Sequence, residues 1–196
     1  MLLPGTMLDR EIDEATRIRP IRRVEYHRMV DLGMFLDERI ELLRGVLVEM
    51  SPQKAPHAVA VERLNYLLLP AVGARGRVRI QLPLALSDDS EPEPDVAVVP
   101  PGDYSREHPT TALLIVEVSH ESRRVDRGVK AALYAEAGIP EYWIADVVDS
   151  VLEIRARPVE GEYCDVARHD RTAIVTPIAF PDIRIAVADV LSPPQE

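Results

Sequence analysis

The chain has 196 residues and a formal net charge of −10, with 23 basic residues against 33 acidic ones. That balance argues against a protein that coats nucleic acid non-specifically, because neutralising phosphates requires a basic surface. The length suits one domain with a single core; no run approaches the roughly 18–20 apolar residues of a membrane span, and the lone Cys164 excludes an internal disulfide or a cysteine-based zinc site.

Residues 1–20 read as a flexible tail. Leu2-Leu3 is followed by Asp9, Arg10, Glu11, Asp13 and Glu14, unlike a signal peptide, so a cytoplasmic location is expected. A single domain is expected over 21–190, with a short tail over 191–196. From Arg22 to Leu36 the spacing of Val24, Met29, Val30, Met34 and Phe35 predicts a short amphipathic helix. Ile40 to Met50 reads as a β-hairpin turning at Arg44-Gly45. After a loop over 51–56, Ala58, Val61, Leu64, Leu68 and Val72 mark a long helix beginning at His57 and ended by Gly73.

Alternation over Arg77–Leu86 predicts a strand, with Pro83 placing it at an edge or a bend. The runs 94–99 and 112–119 are almost wholly apolar and read as central strands covered on both faces, separated by a surface loop. Val125–Ala137 is a second helix stopped by Gly138 and Pro140. Strands follow at Glu141–Asp146 and Val151–Arg157, then Tyr163–Arg168 pairing back, and a last short one at Ile183–Val187. The order predicts a mixed α/β (α+β) sandwich.

Chemistry concentrates between Glu93 and Lys130. Asp95 opens one central strand and Glu117 closes the other. If the two strands pair antiparallel, their carboxylates meet at one sheet edge, as chelation of a hard divalent ion requires. Ser119 lies two residues beyond Glu117 on the same face. Asp126, Lys130 and Tyr134 share one helix face at spacing i, i+4, i+8. Lys54 and Lys130 are the only lysines, and arginine supplies the other positive charge. A lysine where arginine is the default points to a need for an ammonium, here to orient or deprotonate a water or to stabilise phosphate charge. Each piece also has a plain structural reading. Glu-Pro-Asp suits a turn, Glu117 an ion pair or cap, Asp126 an N-cap, and Asp126 with Lys130 a helical ion pair. The arginine clusters at 22–28, 75–79 and 123–127 read mostly as solvated faces.

The segments Ile40–Pro52, His57, Glu93-Pro94-Asp95-Val96 and Val116–Ser119 together resemble the Uma-type restriction-endonuclease family of the PD-(D/E)XK nuclease superfamily. Asp126, Lys130, Tyr134, Ala135, Gly138–Trp143 and Asp146 continue the match, which runs from about Val24 to Ile154. The resemblance implies a restriction-endonuclease-like mixed β-sheet flanked by helices, with an N-terminal helix and β-hairpin. It implies that Asp95 and Glu117 hold Mg²⁺ (or Mn²⁺), with Glu41 near the metal and His57 a further polar group of the site. The superfamily's lysine, two residues after the second acid, is replaced here by Ser119, so the role falls to Lys130. The expected function is therefore a metal-dependent DNA endonuclease working as a homodimer, since cutting both strands suits two-fold symmetry. The alternatives are a non-catalytic nuclease-fold scaffold or partner-binding dimer, and a hydrolase of a small phosphoester.

Overall fold

The computed structural model describes residues 19–120 and 122–193. The tail expected over 1–20 lies outside them except for Arg19 and Pro20, as does the stretch 194–196. Helix α1 (Arg23–Asp31) starts where the Glu25 carboxylate accepts the Arg22 N–H at 3.0 Å. It is shorter than the apolar spacing over 22–36 predicts, because the chain turns from Leu32 onward. Strands β1 (Ile40–Leu43) and β2 (Val46–Glu49) form the predicted hairpin, with both turn residues at positive φ, Arg44 at 51° and Gly45 at 74°. That pairing matches the two-residue turn whose twist suits flanking strands. Helix α2 (Ala55–Val72) follows, with Pro56 in its first turn, where no backbone donor is needed.

The main sheet has six strands in the order β3 (Arg77–Ile80), β4 (Val96–Val99), β5 (Leu114–Ser119), β6 (Glu141–Asp146), β7 (Val151–Val159) and β8 (Glu162–His169). All neighbours are antiparallel except β5 and β6, which are parallel and joined through a helix. That crossover, α3, is one helical segment in three parts: Arg123–Val125, a π-helical turn over Asp126–Lys130, and Ala131–Glu136. Gly138, at φ 70°, ends it, and Ile139 donates back to the Tyr134 carbonyl at 3.0 Å.

Side chains of the central strands alternate between two cores. Val96, Val98, Leu114, Val116, Val118 and Trp143 pack with Ala60, Val61, Leu64 and Leu68 of α2. Ala97, Val99, Ile115, Tyr142 and Ile144 pack with Ala131 and Tyr134 of α3. Burial on both faces explains why these strands read as continuous apolar runs. Short strands β9 (Ile174–Val175) and β10 (Ile185–Ala186) and helix α4 (Val187–Val190) extend the first core, where Leu191 is also buried. The chain from Ile183 therefore makes a two-residue strand and then a helical turn, where a strand through Val187 was expected.

The strand expected over 77–86 stops at Ile80. Gln81 has φ 52°, its N–H donates to the Asp95 carbonyl at 3.1 Å, and Pro83 has no donor with which to continue a ladder. Residues 81–95 instead fold across the sheet end, and Glu91 exchanges backbone bonds with Leu42 of the hairpin. This crossing brings Glu41 of β1 to the start of β4.

Candidate active site

Asp95 and Glu117 meet as the apolar pattern predicts. β4 and β5 are antiparallel with Val96 opposite Val116, so one further step puts Asp95 opposite Glu117. The two acids are stitched together by the backbone. The Asp95 N–H donates to Glu117 Oε2 at 3.3 Å, and the Val118 N–H donates to Asp95 Oδ2 at 2.8 Å. Both carboxylates fall on the face toward α3, in phase with Ala97 and Ile115.

Lys130 reaches them from the end of the π-helical turn. Its Nζ lies 3.0 Å from Glu117 Oε1 and 3.1 Å from Glu41 Oε2, and its side chain is 6% exposed. Tyr134, one turn on, donates its hydroxyl to Glu117 Oε1 at 2.7 Å. Glu41 also accepts the Glu93 N–H at 3.2 Å, which fixes the Glu-Pro-Asp turn against the hairpin. His57, in the first turns of α2, places Nε2 3.0 Å from Asp95 Oδ2. Its Nδ1 is buried without a hydrogen-bond partner among the described residues. All five residues expected at the site thus converge: Asp95, Glu117, Lys130, Glu41 and His57.

Electrostatics differ sharply between the two acids. Burial disfavours charge on Asp95, but the bonds from His57, Val118 and Gln81 outweigh it and hold its pKa below the usual range. Glu117 is dominated by burial, which pushes it up to about 8; Lys130 opposes this, and Asp95, Asp126 and Glu41 add to it. Burial would lower Lys130, yet the carboxylates of Glu117, Glu41 and Asp126 outweigh it and raise its pKa. In this arrangement Lys130 is an ammonium, suited to holding negative charge and unsuited to removing a proton.

Two side chains enter the site that the sequence pattern did not assign to it. Gln81 donates its amide to Asp95 Oδ1 at 3.1 Å, from an irregular segment that no periodicity marks. Tyr134 was legible only as sharing a helix face with Lys130. Asp126 is not an N-cap, and among the described residues the ion pairs of Lys130 are with Glu41 and Glu117: Asp126 sits buried inside the π-helical turn and accepts hydroxyl bonds from Ser119 and Ser122. Ser119, two residues beyond Glu117, therefore anchors the helix that carries Lys130.

That helix is clamped to the sheet by charge. Arg123 and Arg127 both pair with the fully buried Asp146 at the end of β6, and Arg127 also reaches Glu153 at 3.1 Å. The reading of these two arginines as a solvated face is thereby corrected: their side chains are about 30% exposed and engaged with buried acids.

Whether the site suits a divalent ion rests on its donors. Asp95, Glu117 and Glu41 offer hard carboxylate oxygens within one ion-paired cluster, the donor type that Mg²⁺ and Mn²⁺ take. Among the described residues no three His, Cys, Asp or Glu side chains stand ready as a ligand group, and Lys130 already lies between Glu41 and Glu117. The donor chemistry fits, while the present packing is that of a site neutralised by its own lysine.

A six-stranded mixed sheet flanked by helices, with its one parallel pair joined through a helix, is a restriction-endonuclease-like architecture. The chain belongs to the Uma2 family, described as "Putative restriction endonuclease", whose model matches residues 23–188. Its fold is similar to that of a solved protein from Anabaena variabilis, titled a "putative nuclease belonging to DUF820", with a TM-score of 0.66 and 15% identity. That similarity covers 87% of this chain and 97% of the other. No curated protein matches the chain. Family and fold together support a nuclease-like function, and among the described residues no helix is long and apolar enough to cross a membrane.

Proposed function

We propose that the protein is a Mg²⁺- or Mn²⁺-dependent DNA endonuclease that hydrolyses phosphodiester bonds and acts as a homodimer. The observation that carries this reading is the convergence of Asp95, Glu117 and Lys130, with Lys130 Nζ 3.0 Å from Glu117. Asp95 and Glu117 would hold the ion, with Glu41 completing its surroundings. What the ion supplies when bound is Lewis acidity toward the phosphoryl group and a lowered pKa for water. The chain's own residues do the rest. His57 and Gln81 keep the Asp95 carboxylate ionised and aimed, Tyr134 orients Glu117, and Lys130 presents a permanent positive charge for the pentavalent phosphate and the attacking water.

The test is nicking of supercoiled plasmid DNA by the purified protein with Mg²⁺ or Mn²⁺, beside Asp95→Ala and Lys130→Ala. Cleavage that both substitutions abolish supports the assignment; equal cleavage by all three proteins sinks it. One observation favours the runner-up, a nuclease fold kept as a non-catalytic scaffold: three donors already engage each of Asp95 and Glu117. A metal titration separates the two readings, since a scaffold needs no affinity for Mg²⁺ or Mn²⁺.

A further inference from the structure

Lys130 does two incompatible things in the site as built. It neutralises Glu117 and Glu41 by direct contact, at 3.0 and 3.1 Å. It also occupies the place where those two carboxylates converge, which a divalent ion sharing them would need. An ion there would set two positive charges against a third at a few ångströms, in a site with little water to screen them. The acids are nearly closed off, with Glu117 3%, Glu41 4% and Asp95 6% exposed. Leaving them with neither ion nor lysine would strand buried charge. The lysine is the cation that holds the place between Glu41 and Glu117, so an ion shared by those two carboxylates must displace it.

We propose, on the basis of the metal-dependent reading above, that Lys130 is a built-in competitor of the divalent cation. In the metal-free protein its ammonium stands in for the ion and holds Glu41, Glu117 and the start of β4 together. When the ion enters, the ammonium gives up its double contact and turns its donors outward, toward the phosphate of the substrate. The flexible four-carbon stem of lysine permits this exchange, as the rigid fork of arginine would not. The acids and the lysine are thus never exposed as unpaired charges, and the lysine becomes available for catalysis only when the metal is in place.

The sequence supplies an unusually direct test. Lys54 and Lys130 are the only lysines, so protein labelled with ¹⁵N at lysine Nζ carries two side-chain ammonium signals, and Lys54→Arg assigns them. Mg²⁺ is titrated in, with occupancy followed by calorimetry. The expected result is that the Lys130 signal shifts, or is lost to faster proton exchange, in proportion to occupancy, while that of Lys54 stays. A Lys130 signal unmoved at full occupancy overturns the proposal. Calorimetry on Lys130→Met is the second readout, and Mn²⁺ should bind that variant at least about tenfold more tightly than wild type. Equal or weaker binding by a folded Lys130→Met overturns the competition while leaving the metal site standing. Absence of Mg²⁺ and Mn²⁺ binding by wild type and variant alike overturns the metal-dependent reading, and this inference with it.

Discussion

Asp146→Asn probes how the helix carrying Lys130 is held, without touching the acid cluster. Asp146 Oδ1 accepts the N–H groups of Val148 and Asp149 at 3.1 and 3.0 Å and is paired with Arg123; Oδ2 accepts from Arg127 at 3.1 Å. Asparagine keeps the Oδ1 acceptor and therefore the turn after β6. It removes the charge, and it turns an NH₂ group toward the Arg127 guanidinium, where two donors oppose each other. Each arginine is partly exposed, so each pair contributes only about 0.5–1 kcal/mol after screening. The opposed donors add about 1 kcal/mol. The sum is a loss of about 2–3 kcal/mol, or about 5–10 °C in Tm for a chain of this size.

The pH dependence gives the sharper check. Burial would raise the Asp146 pKa, but the Asp149 N–H and the guanidinium groups of Arg123 and Arg127 outweigh it and hold it low. A depressed folded-state pKa means that the contribution is present above the unfolded value and is lost as pH falls through the folded one. Urea denaturation of wild type and Asp146→Asn should therefore differ at pH 7 and converge on acidification, once wild-type Asp146 is itself protonated. A difference below about 0.5 kcal/mol at pH 7, on the scale of ordinary surface changes, would refute the clamp. So would a difference that does not shrink with acid.

Two further perturbations test the site and the hairpin beside it. Tyr134→Phe removes a buried hydroxyl that donates to Glu117 at 2.7 Å; a loss of about 0.5–1.5 kcal/mol is expected by denaturation, the net range for a typical intramolecular hydrogen bond, and an unchanged midpoint would mean that the hydroxyl does not hold Glu117. Gly45→Ala puts a Cβ 2.2 Å from the Pro20 Cβ at a φ of 74°. It should cost at least about 1–2 kcal/mol from the left-handed backbone alone and loosen Glu41, and a neutral effect would show that the turn can relax away from Pro20.

Much of this arrangement was readable before any tertiary structure. Period-2 burial on both faces wrote 94–99 and 112–119 as apolar runs. Acids at the start of one and the end of the other can meet only if the strands run antiparallel, which they do. Scarcity of lysine singled out Lys130 because a chain otherwise built with arginine has no generic use for an ammonium. The helix spacing from Ala58 to Val72 and the Arg44-Gly45 turn were equally plain, since each follows from local geometry.

What the sequence could not decide depends on contacts between residues far apart in the chain. Gln81 leaves the strand because Asp95, fourteen positions on, captures both its backbone and its side-chain amide; alternation of apolar residues carries no trace of that. Arg123 and Arg127 look like any surface arginines until Asp146 of β6, the parallel strand on the far side of the crossover, and Glu153 of the neighbouring β7 arrive. Lys130 was expected beside Glu117, with an ion pair to Asp126 as its plain alternative, and its second acid was not legible from helix spacing. Only the folding of the hairpin across the sheet end brings Glu41 to it, and makes the lysine a shared counter-ion of two acids 76 positions apart in the chain (117 − 41 = 76). Local pattern determined where the charges sit along each element. The packing of hairpin, sheet and crossover helix decided which charges face one another, because burial forces each to find a partner.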